Sequence, residues 1–129
     1  VIALSPALKA ARAQATAAAL SGGSAELYAG ALPAPGAAPA GALLAQWALG
    51  ALSASGAQVV IAPAPVMAQA DGAPTLLRLR DAQGAWLADL DVGPPPAPGE
   101  PQTTALVATP ALVYAGGQVS LSALTLAEP

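Results

Sequence analysis

The sequence predicts an all-β fold, a jelly-roll-like β-sandwich with one short N-terminal α-helix, and three observations carry that expectation. Residues 75–93 (TLLRLRDAQGAWLADLDVG) form two alternating runs around a glycine-containing turn. Seven or eight short apolar stretches recur along the chain, separated by Gly and Pro. A capped, alanine-rich segment stands alone at the start. With 129 residues the chain has the length of a single domain over 1–129. Residues 1–23 are expected to be the helical segment and 24–129 the sandwich, with proline-rich loops at 31–41 and 93–101.

In chain order, Ser5 and Pro6 open the helix, because serine caps free amides and proline is pre-set for the first helical position. The helix runs to about Leu20, where Gly22 and Gly23 offer the left-handed residue that ends it. Leu4 and Leu8 begin a thin apolar stripe, with Lys9, Arg12 and Thr16 on another side. Residues 25–29 alternate as a strand, and the prolines after them imply an irregular loop or arm. Residues 42–49 are expected as a strand with Trp47 anchoring one face, and 58–62 as a buried β-branched strand. Residues 66–70 suit an edge.

Within 75–93 the two-residue period places Leu77 and Leu79 on a core face and Leu76, Arg78 and Arg80 on a wet one. On the return run Trp86, Ala88, Leu90 and Val92 share the core side, and Leu87, Asp89 and Asp91 the other. A turn over two central residues, Ala82 and Gln83 or Gln83 and Gly84, with pairs of odd index sum, joins core face to core face. Arg78, Arg80, Asp89 and Asp91 are then candidates for exposed cross-strand ion pairs. Residues 103–109, 111–115 and 118–126 are expected as strands. Gly116-Gly117 forms a two-residue hairpin that sets Leu112 and Tyr114 against Val119 and Leu121.

Composition excludes several function classes. A net charge of −3 with only four cations leaves no basic stripe for nucleic acid. With no histidine and no cysteine there is no imidazole base, thiolate or soft metal ligand, and no serine has a base to activate it. Neither catalysis, a cofactor nor a metal is expected; Asp89 and Asp91 could offer oxygens to calcium, but the neighbouring arginines favour an ion-paired face. Prolines and glycines cut the uncharged stretch 27–70 into pieces too short to span a bilayer, and no secretory signal is visible at the start. The aromatic residues Tyr28, Trp47, Trp86 and Tyr114, set in alternating strands, read as core rather than as sugar-stacking rings.

The segments LSPALKAARAQA (4–15), ELYAGALPAPGAAPAGALLAQWAL (26–49), 75–93, and VYAGGQVSLSALTLAEP (113–129) together resemble a family of small tailed-bacteriophage virion proteins. The likeness lies in the order and spacing of these modest motifs. The chain resembles in particular the capsid cement, or decoration, proteins of short-tailed phages. That resemblance implies a jelly-roll β-sandwich on the outer surface of the virion capsid. It implies a homodimer that bridges subunits of an HK97-like major capsid protein. The helix and both proline-rich loops lie outside the strand pattern. Leu4, Leu8, Lys9, Arg12, Pro33, Pro35, Pro39, Pro94, Pro95 and Pro96 are therefore the candidate partner contacts. Alternatives are a tail-completion or neck protein and a carbohydrate-binding β-sandwich module.

Overall fold

The computed structural model describes residues 3–127. Its helix α1 (Pro6–Leu20) starts where expected: the Leu8 amide donates to the Ser5 hydroxyl at 3.1 Å, and Pro6 occupies the first turn. At its end the Ser21 amide and hydroxyl both donate to the Ala17 carbonyl, and Gly22 turns left-handed at φ +75°. The docked face is Ala13, Ala17 and Leu20, whereas Leu8 stays 46% exposed. The expected stripe through Leu4 and Leu8 is thus not the one that packs. That stripe carries leucine only in its first turn, whereas the alanine face lets the helix axis come close and ends in a buried leucine.

Among the described residues ten strands follow: β1 (Ser24–Ala29), β2 (Leu43–Ala48), β3 (Ala54–Ser55), β4 (Gln58–Ile61), β5 (Val66–Met67), β6 (Pro74–Arg80), β7 (Trp86–Gly93), β8 (Leu106–Thr109), β9 (Gln118–Leu121) and β10 (Leu124–Ala127). Seven form one sheet in the order β2-β1-β6-β7-β8-β9-β5, and three form a second, β10-β4-β3, against which α1 packs. The large sheet nearly closes on itself, since the Gln69 amide, just past β5, donates to the Leu44 carbonyl of β2 at 2.7 Å. The fold of the described residues is therefore all-β with one short helix, as expected, and its large, nearly closed sheet beside a small one is consistent with a sandwich or a barrel. Its core joins residues of the helix and both sheets, with Leu27, Leu44, Val59, Leu79, Leu106, Val113 and Val119 fully buried. Leu27 has no exposed surface. Its replacement by alanine is expected to cost about 2–5 kcal/mol, read as a fall in the urea midpoint.

Trp47 lies in the core as expected, and its Nε1–H donates to the Ala64 carbonyl at 2.7 Å. β8 pairs parallel to the end of β7, Val92 with Leu106 and Gly93 with Val107, after the proline-rich connection has looped back beside that end. Two expectations about the last third change. The single strand expected over 118–126 is two, β9 in the large sheet and β10 in the small one. The switch occurs at Ser122, whose hydroxyl accepts from the Val107 amide. Residues 111–115 do not form a hairpin arm with β9. Val113 is buried and bridges to Gly72, while Leu112 and Tyr114 are 56% and 62% exposed. Asp71 decides this by taking the Ala115 amide at 2.7 Å, and Gly116 and Gly117 bond to Ala68 instead.

Candidate functional site

The site grows from β6 and β7. Their register pairs Leu76 with Asp91, Leu77 with Leu90, Arg78 with Asp89 and Leu79 with Ala88, the odd-sum set expected from the sequence. Near the turn the pattern breaks. Asp81 Oδ1 accepts from the Gln83 and Ala85 amides, the Gly84 amide donates to the Asp81 carbonyl, and Gly84 is left-handed at φ +83°. The connection is thus Ala82 and Gln83 in a turn plus Gly84 as a glycine bulge, rather than a two-residue loop. One further residue enters β7, so that Arg80 pairs with Trp86 while Leu79 pairs with Ala88. This bulge moves Trp86 off the core face where simple alternation puts it. It sits beside Asp89 and is 40% exposed.

The face expected to be wet is covered. Loop 30–41 folds back over it, with Gly36 against the Trp86 ring and Thr75 Oγ1 donating to the Gly30 carbonyl at 2.6 Å. Arg78, expected at the surface, is consequently 2% exposed. Its Nε and Nη2 grip both oxygens of Asp89 at 2.8 and 3.0 Å, and Nη2 also donates to the Ala37 carbonyl at 2.7 Å. A buried guanidinium is tolerated only when so fully engaged. Arg80 pairs with Glu26 of β1 rather than with a β7 aspartate, and the Tyr28 hydroxyl donates to the same Glu26 at 3.2 Å. Burial and then the Glu26 charge raise the Tyr28 pKa. Asp91 makes no pair with either arginine; its Oδ1 accepts from the Ala105 amide at 2.9 Å.

Between loop and hairpin runs a groove of about 440 Å³, lined by Leu32, Pro33 and Pro35 on one side and by Leu76, Trp86, Asp89, Leu90 and Asp91 on the other. Of the sequence-derived candidates it brings together Pro33, Pro35, Asp89 and Asp91, with Arg78 beneath. Pro39 is half-buried within the same loop. Pro94, Pro95 and Pro96 line a separate concavity of about 390 Å³ formed by their own loop. On α1, Leu8 and Arg12 are exposed, and Leu4 and Lys9 are half-buried. Trp86 and Leu32 were not sequence candidates for this site. The bulge that turns Trp86 outward has no signature in the alternation of WLADLDVG.

Hydrogen bonds from Arg78 lower the Asp89 pKa against the opposing effect of burial, with the Trp86 indole helping. A carboxyl with a folded pKa below its unfolded value, near 4, contributes stability that is complete above that value and is lost as pH falls through the folded pKa. Urea midpoints should therefore fall below about pH 4 more steeply in the native chain than in Asp89→Asn. Equal slopes would show that the pair does not govern acid stability. Among the described residues no group of three or more acidic side chains could hold a metal ion. Both Asp89 oxygens are committed to Arg78 instead. Comparison with family models, with characterised proteins and with solved structures finds no match.

Proposed function

We propose that the chain is a structural virion protein, a cement or decoration protein that binds the outer surface of a phage capsid and stabilises the shell by bridging major capsid subunits. The partner is an HK97-like major capsid protein and the acting form a homodimer, assembled in the host cytoplasm. The sequence resemblance motivates this reading, and one structural observation supports it best. The loop 30–41 is no loose arm: it is clamped through Arg78 so that Leu32 and Trp86 are held exposed at fixed positions. Docking such a preorganised apolar edge costs little conformational entropy. Apolar burial at about 25 cal/mol per Å², repeated over many copies, accumulates into shell stability. The helix contributes the exposed Leu8, and the loop bearing Pro94, Pro95 and Pro96 is exposed throughout.

Co-sedimentation of the purified protein with empty phage heads tests the proposal. Saturation near one copy per major capsid subunit is the expected result. Binding confined to one vertex would assign the chain to the neck, and no binding would overturn a capsid role.

A further inference from the structure

The groove between loop 30–41 and the hairpin has a composition that selects its occupant. Its walls are apolar at Leu32, Pro33 and Pro35, and it offers one half-exposed indole, Trp86. Of its two carboxylates, Asp89 spends both oxygens on Arg78, whereas Asp91 is bound to an amide and not to a cation. The other nearby acid, Glu26, is neutralised by Arg80. Among the described residues Asp91 is therefore the uncompensated charge at the groove.

A saccharide needs several polar partners for its hydroxyls, and Asp91 alone is too few. A quaternary ammonium has no N–H to give a carboxylate and relies on several aromatic walls, where this groove has one. A guanidinium suits all three features. Its planar face stacks on the indole, its N–H groups donate to the carboxylate, and its methylene stem lies along leucine and proline. We infer that the groove formed by Leu32, Pro33, Pro35, Trp86 and Asp91 is a receptor for an arginine side chain of a partner protein. Arg78 is its positioning residue, fixing the loop wall through Ala37 and neutralising Asp89 so that Asp91 acts alone. The inference goes beyond the capsid reading and does not require it, so its test uses no phage heads.

The two tryptophans each give one indole N–H signal in a two-dimensional ¹H–¹⁵N spectrum of the full chain. Titration with N-acetyl-arginine amide should shift the Trp86 signal saturably and leave that of Trp47, bonded to Ala64 in the core, in place. N-acetyl-lysine amide should bind more weakly, and added salt should weaken both. Asp91→Asn, which can still accept from Ala105, should weaken binding by about fivefold. The same spectrum reports whether it folds. Leu32→Ser, on the exposed wall, should also reduce affinity. The inference is overturned if Trp86 does not respond at the probe's solubility limit or if Asp91→Asn binds unchanged. Tighter binding of choline or of any saccharide in a panel would also overturn it.

Discussion

Arg78→Ala should lower the unfolding free energy by about 3–5 kcal/mol. Arg78 is almost wholly buried and Asp89 largely so, and the substitution leaves a carboxylate without its partner under a proline-rich cover. It also frees the Ala37 carbonyl and with it the middle of loop 30–41. Two effects should appear together, a lower urea midpoint and new protease cleavage within the loop. Arg78→Lys keeps the charge but has no fork to span Asp89 and Ala37, and should recover only part of the loss. The double variant Arg78→Met with Asp89→Leu should be much less damaged than Arg78→Ala, because it leaves no unpaired buried charge. A double variant as unstable as the sum of its parts would show that the pair is not coupled.

Gly41→Ala should be comparably severe for a different reason. A Cβ at this position would sit 1.7 Å from the carbonyl oxygen of Ala29 and 3.0 Å from the Gly30 amide, so backbone rather than a flexible side chain stands in the way. The two ends of the loop cross there, and the Ala29 amide donates to the Ala42 carbonyl at 3.1 Å beside the crossing. A loss of at least about 3 kcal/mol is expected, among the larger effects of single substitutions. Gly99→Ala is the comparison. That position is left-handed at φ +84° but has nothing within 4 Å of the added methyl. Its cost should stay at about 1–2 kcal/mol, the penalty of a Cβ in a left-handed backbone. Similar thermal midpoints for the two variants would overturn the crowding argument.

Much of the architecture was legible because it depends on local chemistry. Ser5-Pro6 and Gly22 bracket the helix, the alternation in β6 and β7 sets their register, and the β-branched run of β4 marks a buried strand. The candidate site was legible only in part. Asp89 and Arg78 were recognisable as an ion pair, but their burial depends on a distant loop that folds back, and proline content says only that such a loop is irregular. Trp86 shows the sharper limit. One inserted residue in β7 inverts its side, and period-two reasoning cannot see an insertion. The displacement of Leu112 and Tyr114 has the same character: Asp71, remote in sequence, captures the Ala115 amide and sets which residues face inward.

The small sheet has a consequence for how the protein is made. Its middle strand β4 is flanked by β3, close in sequence, and by β10, the last described strand, while α1, the first described element, packs on β3 and β4. As the chain emerges from the ribosome, β3 and β4 can form only a two-stranded hairpin, which is marginal in water. The helix then has no finished surface to dock on until residues 124–127 arrive. Of these four elements the earliest in the chain is thus among the last to settle. Nascent chains ending before Leu124 should leave α1 open to proteases even when the large sheet has formed.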